Sequence, residues 1–142
     1  MDRISAAKRR KNMQHIRSKN TLPEMVVRRL LYSMGYRYRL HDAALPGKPD
    51  IVFRKYMKLI LVNGCFWHMH DCNEFHYPKT NQEFWKEKIL RNVQRDNQNK
   101  EKLKKLGWDI LEVWECETEG KDLSKLKDKI SHFMNTPNTN RL

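Results

Sequence analysis

A chain of 142 residues, 39% hydrophobic and 32% charged, has the size of one ordinary domain with a core of its own. Four Trp and five Phe argue against disorder, and no stretch approaches the roughly 18 uninterrupted apolar residues of a membrane span. The formal net charge of +12 points to a polyanionic partner, nucleic acid being the commonest, although charge that serves only solubility is the bland alternative. The N-terminus is polar and basic with no apolar signal region, which predicts a cytoplasmic protein. Three cysteines cannot form a fully paired disulfide framework, so metal binding or inert buried thiols remain.

Residues 1–20 carry Lys8-Arg9-Arg10-Lys11, Arg17 and Lys19, with too thin an apolar face for a core helix. They read either as a basic arm that orders on DNA or as a frayed tail. Thr21-Leu22-Pro23-Glu24 opens the first confident helix. Thr21 suits the N-cap and Glu24 the third position of a capping box, while Val27, Leu30, Leu31 and Met34 form one apolar stripe. Gly35 fits the C-terminal cap. Glu24 is either a cap alone or a carboxylate facing a site at the helix start.

Tyr36 to Leu40 alternates at period two, as a half-exposed strand does. Leu45-Pro46-Gly47-Lys48-Pro49 is turn chemistry. Asp50 to Phe53 and Lys58 to Val62 are two strands only four residues apart, which predicts an antiparallel hairpin. The second is apolar on both faces and should be central in the sheet. A polar loop follows to about Thr80, then a long helix from Gln82 to Leu106, ended by Gly107. Its wheel places Ile89, Val93, Asp96, Lys100 and Leu103 on one face, so a carboxylate interrupts the packing stripe and must be paired or put to use. Trp108 to Trp114 is a fourth strand and Asp122 to Met134 a last amphipathic helix. The predicted organisation is a basic arm (1–20), one α/β domain with a mixed sheet flanked by helices (21–135) and a polar tail (136–142).

The chemistry concentrates in Val62-Asn63-Gly64-Cys65-Phe66-Trp67-His68-Met69-His70-Asp71-Cys72, where the buried strand emerges into the loop. Cys65, His70 and Cys72, with Cys116 just after the fourth strand, form an ordinary tetrahedral set for a structural Zn²⁺; three inert thiols are the alternative. His68 and His70 are two apart and point the same way from an extended backbone, so spacing alone lets either take the metal. A histidine left over suits general acid–base work near neutral pH. Hairpin geometry brings Asp50 beside Val62, where a carboxylate, a backbone carbonyl, a histidine and, further off, Glu24 and Asp96 converge. Oxygen ligands of that kind suit Mg²⁺ and phosphodiester hydrolysis. Phe66-Trp67 is either core or a wedge that unstacks base pairs.

From Lys8 to Glu117 the chain resembles the very-short-patch repair (Vsr) endonucleases. The resemblance is carried by Lys11-Asn12-Met13, Thr21-x-x-Glu24, Leu45-Pro46-Gly47-Lys48-Pro49-Asp50, Gly64-Cys65-Phe66-Trp67-His68, His70-x-Cys72, Glu83-Phe84-Trp85, Asn92-Val93-x-Arg95-Asp96 and Val113-Trp114-Glu115-Cys116. It implies a restriction-endonuclease-like fold of the PD-(D/E)xK type with a structural zinc. The implied activity is a Mg²⁺-dependent nick 5′ of the thymine in a T·G mismatch left by deamination of 5-methylcytosine. By position it implies Asp50 and the Val62 carbonyl as Mg²⁺ ligands, with Glu24 at the metal's water shell. His68 becomes the general base or acid, assisted by Asp96, and Cys65, His70, Cys72 and Cys116 the zinc ligands. Phe66, Trp67 and Met13 become the residues inserted beside the mismatch, with Lys11 and Asn63 further DNA contacts. A monomer on double-stranded DNA follows, with transient mismatch-repair partners and no membrane.

The chain departs from the family pattern at Val62, where a threonine is familiar, and at Asn63, where a histidine is. The first change spares a main-chain ligand; the second removes an imidazole from near the scissile phosphate. A restriction-type or less selective endonuclease and a non-catalytic zinc-stabilised DNA-binding module are the competing functions.

Overall fold

The computed structural model describes residues 20–65 and 81–140. Helix α1 (Leu22–Ser33) starts as its cap residues dictate: the Thr21 Oγ1 accepts the Glu24 N–H at 3.3 Å. The Glu24 carboxylate accepts the N–H of Asn20 at 3.2 Å, one residue before the N-cap, so the reciprocal half of the capping box is displaced by one position. Gly35, at φ +88°, closes the other end: its N–H meets the Tyr32 carbonyl and the Tyr36 N–H meets that of Leu31, both at 3.0 Å. Thr21→Ala removes the cap and is expected to cost about 1 kcal/mol, read as a lower midpoint in thermal unfolding.

Four strands, β1 (Arg39–Leu40), β2 (Ile51–Phe53), β3 (Lys58–Asn63) and β4 (Asp109–Trp114), form one sheet in that spatial order. The β2–β3 pairing is the antiparallel hairpin expected from the four-residue connection, with Ile51 opposite Ile60 and Phe53 opposite Lys58. β3 is central and pairs in parallel with β4, Asn63 standing opposite Trp114. Parallel neighbours need a long crossover, and helix α2 (Gln82–Lys105) lies in it. Helix α3 (Ser124–Asn135) completes the domain.

Alternation along the strands sorts the core into two layers. Ile51, Phe53, Ile60 and Val113 pack with Val27 and Leu31 of α1 and Leu126, Ile130 and Phe133 of α3. Val52 and Leu59 pack on the other face with Leu103 of α2 and Trp108. The mixed sheet is therefore covered on both faces, which accounts for the near-continuous apolar run of β3.

The strand expected over 36–40 is paired only at Arg39–Leu40. Tyr36 and Tyr38 instead set their rings edge-on to Phe53, at centroid separations of 6.1 and 6.3 Å, so packing rather than ladder bonding holds that segment. The segment read as a polar tail is tied down over its described part. The buried Lys58 ammonium donates to the Phe133 and Thr136 carbonyls and to Asp109, and Asn138 Nδ2 donates to the carbonyls of Met57 and Gly107. These bonds close the end of the sheet opposite Asp50. Among the described residues no helix is long and apolar enough to cross a membrane.

Candidate active site

The site forms where β2 begins and β3 ends. The turn before Asp50 is fixed by Gly47 at φ +76°, where an added Cβ would lie 2.9 Å from Asn99 of α2. Glycine is needed there for both the backbone angle and the close approach. Pro49 is buried behind the turn. Asp50 then emerges at the mouth of the hairpin, and its Oδ2 accepts the Val62 N–H at 2.8 Å. The convergence of Asp50 with the end of β3, expected from hairpin geometry, is thus present as a hydrogen bond.

Glu24 reaches the same point from α1 and is 1% exposed, so it is more than a cap. Its two oxygens lie 2.9 and 3.0 Å from the Nε2 of His41, and Arg28 approaches at 3.4 Å. The main chain of His41 is also engaged, its N–H meeting the Asp50 carbonyl at 3.0 Å. Ligand atoms of Glu24, His41 and Asp50 all lie within 4.8 Å of one another. Burial pushes the Asp50 carboxyl up to about 7; the Val62 N–H opposes this, while the charge of Glu24 and its hydrogen bond to Asp50 add to it. A buried carboxyl backed by an imidazole, close to a half-buried one that its charge disfavours, makes surroundings that a divalent cation relieves. Carboxylate oxygens are donors of the kind that Mg²⁺ takes.

His41 was not singled out in the sequence. Its position becomes meaningful only through the β1–β2 register: Leu40 opposes Ile51, which sets the next residue, His41, against Asp50. A second grouping was also illegible. Asn63 Nδ2 donates to Glu112 Oε2 at 3.3 Å, and Lys100 from α2 pairs with the other oxygen of Glu112. Asn63 is therefore anchored by a carboxylate–ammonium pair on the α2 face of the sheet. Asp96 is half-buried on the same helix with its Oδ2 shielded from solvent, as the wheel anticipated.

Of the expected zinc ligands, Cys65 and Cys116 are described. Each stands two residues beyond the paired ends of β3 and β4, so the parallel register carries them to the same end of the sheet. The Cys65 N–H donates to Glu115 at 3.3 Å, which joins the loop to the 3₁₀ turn Glu115–Thr118. Thiols are donors of the kind that a structural zinc takes. His70 and Cys72, together with Phe66, Trp67, His68, Lys11 and Met13, lie outside the described residues.

The family model for DNA mismatch endonuclease Vsr matches residues 1–74. DNA mismatch endonuclease Vsr of Escherichia coli K12 is 45% identical over 123 residues, covering 87% of this chain and 78% of its own length. The chain belongs to the Vsr family. It is a DNA endonuclease. Two further relatives are named as type II nicking enzymes. V.NmeAIP of Neisseria meningitidis is 44% identical over 87% of this chain and 89% of its own, and V.XorIIP of Xanthomonas oryzae pv. oryzae is 44% identical over 94% and 96%.

The Vsr-family chain also carries a basic and aromatic face on the first turns of α2. Phe84 is 57% exposed, and Lys88, Arg91 and Arg95 line a shallow groove with it. The Lys88 ammonium lies 5.9 Å from the Phe84 ring and 5.7 Å from that of Trp85. Cations among aromatic rings are the chemistry of a nucleic-acid contact surface.

Proposed function

We propose that this endonuclease nicks one strand of duplex DNA on the 5′ side of the thymine in a T·G mismatch, in a Mg²⁺-dependent reaction. The observation that carries the catalytic part is the meeting of Asp50, Glu24 and the Val62 main chain at the open end of the sheet. The mismatch is supported by the family description and by the name of the Escherichia coli relative. Cutting of one strand is supported by the relatives named as nicking enzymes.

In this reading Asp50 and the Val62 carbonyl hold the cation, and Glu24 orients the water around it. When bound, Mg²⁺ supplies Lewis-acid polarisation of the phosphate and makes a water near it easier to deprotonate. His68 moves the proton, taking it from the attacking water or giving it to the leaving oxygen, and Asp96 fixes the imidazole. Cys65, His70, Cys72 and Cys116 hold zinc, which pins the loop that carries His68 to the end of β4. Phe66, Trp67 and Met13 enter the base stack beside the mismatch, where a T·G pair is cheaper to unstack than a Watson–Crick pair. Lys11, Asn63 and the Lys88–Arg91–Arg95 face contact phosphates and the duplex.

The test is strand-specific. With the thymine strand and its complement labelled separately, one cut is expected in the thymine strand, on the 5′ side of the mismatched base. Cuts in both strands would replace this reading with a restriction-type endonuclease. No cut in any duplex at any Mg²⁺ concentration would leave only a DNA-binding module.

A further inference from the structure

We infer that His41 is a positioning residue for the Asp50 cation site: it locks Glu24 against Asp50 and thereby sets the affinity of the site for its divalent ion. The inference rests on the proposal that the cation binds at Asp50. Its first support is the contact geometry. One imidazole nitrogen sits 2.9 and 3.0 Å from the two oxygens of a carboxylate that is 1% exposed, so the Nε2–H is shared between both and fixes the plane of the group.

The second support is the main chain of the same residue. His41 adopts φ +48° and donates its N–H to the Asp50 carbonyl at 3.0 Å. A single residue is therefore bonded through its backbone to one carboxylate residue and through its side chain to the other. A left-handed conformation at a non-glycine residue is costly, and surrounding bonds must over-determine it. Here those bonds run to Asp50 and Glu24.

The third support is the saturation of Glu24. Besides His41, it accepts the Asn20 N–H at 3.2 Å and an Arg28 N–H at 3.4 Å. A carboxylate held by so many donors is an oriented acceptor rather than a mobile ligand. It suits hydrogen bonding to waters around an ion held by Asp50. Outer partners of this kind typically change metal affinity or activity by about 10–100-fold when removed.

The experiment uses the full-length protein, freed of Mg²⁺ by dialysis without a zinc-removing chelator and titrated with Mn²⁺, with free Mn²⁺ read by electron paramagnetic resonance. His41→Leu, which keeps bulk and loses the donor, is expected to bind Mn²⁺ on the order of tenfold more weakly than the parent. His41→Gln, whose amide N–H can occupy the Nε2 position, is expected to stay within about twofold. In nicking assays the half-saturating Mg²⁺ concentration should rise with His41→Leu by the same factor, while the rate at saturating Mg²⁺ changes less. Thermal midpoints of the variants show whether folding is intact, and His41→Ala replaces the leucine variant if that one fails to fold.

Mn²⁺ affinity unchanged by loss of the donor overturns the proposal, as does a glutamine variant as weak as the leucine one. A parent protein that binds Mn²⁺ but nicks no duplex removes the proposed function, and the binding comparison still decides the role of His41. A parent that binds no Mn²⁺ removes both.

Discussion

Replacing Asp50 by alanine is expected to lower Mg²⁺-dependent nicking by at least about a thousandfold, while affinity for duplex DNA stays within a few-fold. The asymmetry follows from where Asp50 sits. It is the carboxylate at the mouth of the hairpin, bonded to the Val62 N–H and facing Glu24. No other carboxylate described at that point is as free to take a cation, since Glu24 is already held by His41, Arg28 and Asn20. A thousandfold loss corresponds to about 4 kcal/mol of transition-state stabilisation, within the range a polarising cation contributes. Binding to DNA rests instead on the net charge of +12 and on cationic side chains elsewhere, which the substitution does not touch. Single-turnover rates and a filter-binding isotherm on the same duplex check both halves. A variant that retains a tenth of the parent rate would move the cation site away from Asp50.

The same residue is expected to make the Mg²⁺-free protein less stable as pH rises. The Asp50 carboxyl is pushed from 3.8 to about 7, chiefly by burial. Below the unfolded value both states hold the proton and the contribution is fully present. Between the two values only the folded state keeps it, and stability falls as pH rises until the folded group ionises near 7. Three or so pKa units convert to an upper bound of about 4 kcal/mol, and partial access to solvent makes ~2–4 kcal/mol the expected size. Asp50→Asn, which keeps shape and cannot ionise, is thus expected to be more stable than the parent at pH 8 and about equal to it near pH 4. The pH 8 difference in thermal midpoint should be roughly 10 °C for a domain of this size. A midpoint difference that is the same at both pH values would contradict the assignment. Saturating Mg²⁺ should restore the parent at pH 8, because the cation takes the place of the missing proton. Its apparent affinity should fall about fivefold from pH 7 to pH 6, as the ionised fraction of a group titrating near 7 drops from about a half to about a tenth.

These two expectations depend on features of very different legibility. The helices could be read from their 3.6-residue period, the hairpin from the four-residue connection between two apolar runs, and the central position of β3 from its being apolar on both faces. Their ends could be read because Thr21, Gly35 and Gly107 act locally. The nearness of Asp50 to Val62 followed from the four-residue connection, since a short hairpin leaves little freedom of register.

What could not be read depends on register between elements or on side chains bonding to main chain. His41 joins the site because Leu40 faces Ile51, which no periodicity in the segment announces. Lys100 and Glu112 meet beside Asn63 because α2 packs against β4, and the wheel could place Lys100 on a face but not opposite a partner. The binding of residues 136–140 to the sheet uses asparagine side chains and carbonyls, a pattern that looks like any polar tail in one dimension. Tyr36 and Tyr38 alternate as a strand would, yet the period arises from packing on Phe53. Periodicity reports which side faces the core, not whether the backbone is laddered.

The most direct test of the account is the rate at which the purified protein, with Mg²⁺ in excess, nicks two duplexes that differ only in one base pair, T·G in one and T·A in the other, across a panel of flanking sequences. In at least one flank the T·G duplex is expected to be nicked at least about a hundredfold faster, close to 3 kcal/mol of discrimination, and the nick should vanish with EDTA. Equal rates on the two duplexes in every flank, or nicking that persists without divalent ions, would contradict it.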